Sequence, residues 1–158
     1  MNWYDLFFSF TGRISRRQFW AGLLALLAIE LLFFLPLLQL TGADIKTRPA
    51  PLWFRNITLL VDTALAWPTL AILVKRQRDR DQTGHLSYIA VVCALLYSAL
   101  DAFGVISTAN GVTALGYAAG VLSVGILAVV IVELGMRAGV DRINQFGEQP
   151  LSEGSHHE

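Results

Sequence analysis

The chain has 158 residues, 54% of them hydrophobic and only 15% charged, with a mean hydropathy of +0.53. That balance points away from an ordinary soluble domain and toward a protein of the bilayer. Twelve Lys and Arg stand against twelve Asp and Glu, so no global basic field suggests nucleic acid as a partner, and what matters is where the bases sit.

Met1 to Thr11 carries Trp3, Tyr4, Leu6, Phe7, Phe8 and Phe10 but is too short to span a membrane. Such a segment suits the interface, where Trp and Tyr rings place one end in apolar and one in wet surroundings. Ser15-Arg16-Arg17-Gln18 has the form of a capping box, with Ile14 and Phe19 at the staple positions, and predicts the start of a first helix. Arg16 and Arg17 have the wrong sign for a helix N-terminus. Lipid phosphates and the positive-inside rule would favour them, which makes this end cytoplasmic.

Phe19 to Leu40 is an apolar run of 22 residues with ten Leu, longer than an ordinary signal core and without a small-residue cleavage site after it, so it should remain as an anchor. Its insertion free energy is about −4 to −8 kcal/mol against about +3 for Glu30. The linker from Thr41 to about Asn56 holds Gly42, Pro49, Pro51, Trp53 and Phe54, a loop composition. A second helix over Ile57 to Val74 has 18 residues but contains Asp62 and Pro68, so it should depend on pairing with the first.

Lys75-Arg76-Gln77-Arg78-Asp79-Arg80-Asp81-Gln82-Thr83-Gly84-His85 is a strongly charged run between apolar segments. It reads either as a solvated loop that fixes orientation or as a polar cluster in which Asp79 or Asp81 meets Arg13, Arg16 or Arg17. Leu86 to Ile106 predicts a third helix, Ser107 to Gly111 a tight polar turn, and Val112 to Met136 a fourth helix. Gly116 and Gly120 form a G-x-x-x-G pattern on it, suited to packing within the monomer or to dimerisation. Cys93 is the single cysteine and lies in an apolar run, which precludes an intrachain disulfide.

The expected architecture is an all-α integral membrane protein. Residues 1–14 form an interfacial segment, residues 15–138 a four-helix membrane domain with helices at about 15–40, 57–75, 86–106 and 112–137, and residues 139–158 a cytoplasmic tail. The four helices make two antiparallel hairpins. Nine bases, Arg13, Arg16, Arg17, Lys75, Arg76, Arg78, Arg80, Arg137 and Arg142, fall on one side against Lys46, Arg48 and Arg55 on the other. Both termini are therefore expected in the cytoplasm.

Three stretches resemble a known family. Phe10 to Trp20 (FTGRISRRQFW) is similar to the opening motif of the bacterial inner-membrane proteins called domain of unknown function 805. The charged run resembles that family's central motif, a basic pair followed by His-Asp and Ser-Gly-Trp, with Arg78, Thr83 and His85 departing from it. Asn144 to Pro150 resembles its closing motif. The resemblance implies an inner-membrane location and four helices, and carries no established activity.

Each predicted helix holds one acid: Glu30, Asp62, Asp101 and Glu133. Glu133 is best read as an i,i+4 ion pair with Arg137. Glu30, Asp62 and Asp101 lie about 16, 18 and 22 Å from the cytoplasmic ends of their helices at 1.5 Å per residue, so they could share a level. They form a candidate proton or cation site, or else serve helix association through hydrogen bonds to residues such as Thr58, Thr63, Tyr97 or Ser98. No catalytic arrangement, metal site or cofactor motif is evident. The expected function is a non-enzymatic membrane module whose cytoplasmic face, built on Arg13, Arg16, Arg17, Lys75, Arg76, Arg78, Asp79 and Asn144, binds anionic lipid head groups. A partner membrane protein or a second copy is the other expected contact, and the alternative is a transporter or channel using Glu30, Asp62 and Asp101.

Overall fold

The computed structural model describes residues 2–41, 50–108, 111–140 and 142–147. Gly42, Lys46, Arg48 and Pro49 of the linker, Ala109 and Asn110 of the turn, and Glu148, Gln149, Pro150, His156 and His157 of the tail lie outside the described residues. In chain order the elements are α1 (Trp3–Phe8), α2 (Arg16–Thr41), α3 (Leu52–Asp79), α4 (His85–Ala102), the short strands β1 (Ser107–Thr108) and β2 (Gly111–Val112), and α5 (Ala114–Val130), which continues into a π-helical turn at Ile131–Met136. Four helical stretches are long and apolar enough to cross a membrane: Arg16–Gln39, Leu52–Asp79, His85–Ala102 and Ala114–Met136.

The entry to α2 is a reciprocal capping box. Ser15 N donates to Gln18 Oε1 at 3.0 Å, and Gln18 N donates to Ser15 Oγ at 3.3 Å. Ile14 and Phe19 on either side are fully buried. The wrong-sign charge at this helix start has a protein partner: Arg16 Nη1 donates to the Met136 carbonyl at 3.4 Å, at the C-terminal end of the last helix. Antiparallel packing thus places Arg16 at the negative pole of a neighbour.

α3 begins at Leu52, ahead of the expected Ile57, because Pro51 precedes it with φ −53°, a geometry suited to helix entry. Within it the hydroxyls of Thr58 and Thr63 donate to the Phe54 and Leu59 carbonyls at 3.0 and 2.7 Å, which satisfies them inside the helix. Trp53 and Phe54 are therefore helical rather than linker residues. Phe54 meets Phe34 of α2 edge-on at 5.2 Å.

At its other end α3 runs through Lys75, Arg76, Gln77, Arg78 and Asp79, so the reading of this run as a solvated loop is overturned. Lys75, Arg76 and Asp79 are only 0%, 1% and 3% exposed. The helix then stops in a Schellman motif: Gln82 N donates to Gln77 O and Asp81 N to Arg78 O, both at 3.0 Å, with Asp81 at φ +60° where glycine is usual.

α4 ends at Ala102 rather than Ile106, and the expected polar turn is a small β-hairpin in which Ser107 pairs with Val112. Arg55 from the start of α3 donates to Ser107 O at 3.2 Å, so this base is part of the connection at the opposite end from Lys75. Gly116 lies so close to Ile106 and Val112 that a Cβ there would collide with both, whereas Gly120 has nothing nearby. The two glycines do not form one seam within the described chain.

α1, α2, α4 and the π turn all pack against α3. The buried apolar cluster of Leu6, Ile14, Phe19, Leu26, Ile72, Leu73, Val91, Val130 and Leu134 draws on the start of α2 and α4 and the end of α3 and α5. The core is thus concentrated at one end of the bundle, beside the charged run.

Candidate functional site

Burying three cations and a carboxylate at that end requires that their hydrogen-bonding groups be met inside the protein. They are met by backbone carbonyls from both ends of the chain. Lys75 Nζ donates to Leu6 O at 2.6 Å and to Asp5 O, capping the last turn of α1, whose carbonyls have no partner within so short a helix. Arg76 Nε donates to Leu134 O and Nη2 to Arg137 O, both at 2.7 Å, while Nη1 pairs with Asp79 Oδ2 one turn along α3.

Asp79 is the centre of the arrangement. Arg13 reaches its Oδ1 with Nε at 3.2 Å and Nη2 at 3.0 Å. The same guanidinium donates to Val140 O at 2.6 Å and Arg142 O at 2.7 Å. Val140 N donates in turn to Asp79 O at 2.9 Å, and Gly139 lies against the Asp79 carboxylate with no room for a Cβ. One buried acid therefore joins the segment before α2, the end of α3 and the segment after the π turn.

Around it, Arg78 Nη1 donates to Phe10 O and its guanidinium stacks 5.3 Å from the Phe146 ring centre, with Nε buried and lacking a partner. Asn144 Nδ2 donates to Arg78 O at 2.8 Å, while its Oδ1 accepts from Phe146 N at 2.9 Å. Arg80 donates to both the carbonyl and Oε2 of Glu133, and Arg137 meets Glu133 Oε1 at 2.8 Å. Gln77 Oε1 accepts from Ser87 N at 2.9 Å and from Ser87 Oγ, which joins α3 to α4.

The π turn explains why so many donors converge. A helix leaves its last carbonyls without intrahelical partners. Here the carbonyls of Glu133, Leu134, Gly135, Met136 and Arg137 each accept from a side chain, namely Arg80, Arg76, Trp20, Arg16 and Arg76. The end of the last helix is held by α2 and α3.

The structure thus brings together Arg13, Lys75, Arg76, Arg78, Asp79 and Asn144, and leaves Arg16 and Arg17 exposed at the edge. Arg13, Lys75 and Arg76 turn their donors inward, so they are not available to head groups. Sequence reasoning did not include Trp20, Gln77, Arg80, Ser87 and Glu133 in this cluster. The spacing of Glu133 pointed only to its i,i+4 pair with Arg137, which is present, and the cross-helix contacts of all five leave no signal in spacing.

In the membrane-spanning part, Glu30 and Asp62 line a common cavity of about 320 Å³ with Leu65, Thr69, Val91 and Leu95. They also line a smaller one of about 60 Å³ beside Phe33 and Ile57. Ser98 Oγ donates to Asp62 Oδ2 at 2.6 Å. Glu30 and Asp62 share both cavities, and Asp101 lines neither of them.

Residues 7–148 match the family model described as "Protein of unknown function (DUF805)". Uncharacterized protein YiiR of Escherichia coli, strain K12, is 30% identical over 146 residues, spanning 89% of this chain and 85% of that relative; YiiR of Escherichia coli O157:H7 matches to the same extent. No solved structure matches.

Proposed function

The chain belongs to the DUF805 family, and we propose that it is a small non-enzymatic module of the bacterial inner membrane whose cytoplasmic face binds anionic lipid head groups. In this reading the helices form two antiparallel hairpins, α1 lies in the cytoplasmic interface, and both termini are cytoplasmic. The observation that carries it is the division of the bases at one end of the bundle. Arg13, Lys75 and Arg76 are buried and hold the fold, while Arg16, Arg17, Arg137 and Arg142 at the same end are exposed. Exposed Trp3, Tyr4 and Phe8 on α1, with Trp67 against Phe10, suit an interfacial collar at that level.

Mild detergent extraction followed by native mass spectrometry at low and high salt tests this. Retention of anionic over zwitterionic phospholipid, falling as salt rises, supports the reading; equal retention of both overturns it. Reporter fusions at either terminus test the orientation.

The cavity shared by Glu30 and Asp62 favours a second reading, passage of protons or cations. Intramembrane acids are costly, and these two are joined by a void rather than by a basic residue. Proteoliposome flux that is unchanged in E30Q/D62N removes this alternative.

A further inference from the structure

Four of the five carbonyls at the end of the last helix are met by arginines, and the fifth by Trp20. Asp79 is shared by Arg13 and Arg76, and Glu133 by Arg80 and Arg137, while Arg16 meets only a carbonyl in this group. Among the described residues of this group, five guanidinium groups face two carboxylates, an excess of three positive charges. The negative pole of α5 offsets about half a charge of this.

The imbalance is directed outward. Arg13 and Arg76 are sealed inside, and Arg80 is 13% exposed, but the Arg137 side chain is 59% exposed and Arg16 lies on the surface beside it, joined through Met136 O. Arg16 spends one Nη on that carbonyl, and Arg137 spends one on Glu133. Each fork has further N–H groups to offer. Trp20, one turn beyond Arg16 and tied to Gly135 O at 3.3 Å, places an amphipathic indole next to them, as expected at the head-group level.

We infer that Arg16 and Arg137 form a phosphate-binding site at the junction of α2 and the π turn, taking a phosphate monoester or diester anion. The inference rests on the cytoplasmic-face reading above and deepens it, replacing a diffuse basic surface by two named forks. A guanidinium pair suits phosphate because each fork presents parallel N–H groups to two oxygens. The Met136 carbonyl holds Arg16 and the Glu133 carboxylate holds Arg137 before the ligand arrives, which limits the ordering cost of binding.

The test uses the full chain in detergent micelles, with phosphatidylglycerol, phosphatidylcholine and inorganic phosphate as probes and native mass spectrometry as the readout. R16Q and R137Q should each weaken phosphatidylglycerol retention about fivefold, and the double variant about twenty-five-fold, at roughly one such factor per base. R142Q, which removes another exposed base of the same face, should weaken it clearly less than either single variant. If R16Q/R137Q does not fold, R16K/R137K keeps the charge but not the fork and should show a smaller loss in the same direction. Inorganic phosphate that competes with the lipid on wild type identifies a site open to free anions, and failure to compete identifies a lipid-borne phosphate; both support the site. Equal losses in R142Q and in R16Q/R137Q overturn the site and leave the cationic face standing. Equal retention of the two lipids by wild type overturns both.

Discussion

Arg13 closes on Asp79 across 66 residues of chain, and Arg76 holds the other oxygen of the same carboxylate from one turn away. Removing one member of such a buried set leaves an uncompensated charge, at a cost of about 3–5 kcal/mol. Asp79→Asn should therefore lower the thermal unfolding midpoint in detergent markedly, whereas Asp81→Asn, at an exposed position paired with Arg142 at only 4.0 Å, should shift it little. The exchange R13D/D79R should not rescue either single change. An Asp at position 13 would face the Val140 and Arg142 carbonyls, and an Arg at position 79 would face Arg76.

Gly139 rests on the Asp79 carboxylate. Gly139→Ala should cost about 1–3 kcal/mol by overpacking and should release the segment that follows the π turn. Hydrogen exchange checks this: the amide of Val140, which donates to Asp79 O, should lose protection while the amides of α2 and α4 keep theirs.

Asp81 takes the left-handed position of the Schellman motif that ends α3. Relief of that conformation by Asp81→Gly should raise stability by about 1 kcal/mol, measured by chemical unfolding in a fixed detergent. Asp81→Val, β-branched at the same φ, should lower it.

Trp20 Nε1 donates to the carbonyl of Gly135. Trp20→Phe keeps a ring in place but leaves that carbonyl without this partner, and should cost about 1 kcal/mol. A comparable Trp67→Phe change, where no side-chain hydrogen bond among the described residues is at stake, should be near neutral, so the difference between the two midpoints isolates the bond.

The apolar periodicity and the capping box made most of α2 readable, because the signals for a membrane helix and for its N-terminus are local. The bounds of α3 were not. Pro51 reads as loop composition in the sequence, although a proline just ahead of a helix fixes its entry, and the run Lys75 to Asp79 admits a solvated loop as well as a polar cluster because all five of its residues are polar or charged, which normally marks a surface. What buries it is a set of carbonyls supplied by α1 and the π turn, and backbone acceptors leave no trace in residue identity. The same limit applied to Arg16 and Arg55, whose wrong-end charges made sense only once Met136 O and Ser107 O were seen beside them. Equal depth along separate helices does not fix the faces on which side chains lie, and Asp101 lines neither cavity that Glu30 and Asp62 share.

Besides Ile14 O and Asp79 O, the carbonyls that receive Arg13 and Arg76 belong to Leu134, Arg137, Val140, Arg142 and Gly147, the late part of the described chain, whereas the arginines themselves are made early. During synthesis both cations have Asp79 but lack these later acceptors until the last helix has been made. This end of the bundle can close in full only then, although α1 is already held to α3 through Lys75. A chain arrested before residue 134 would carry the spans but display unmet guanidinium groups, a chemical mark of incompleteness.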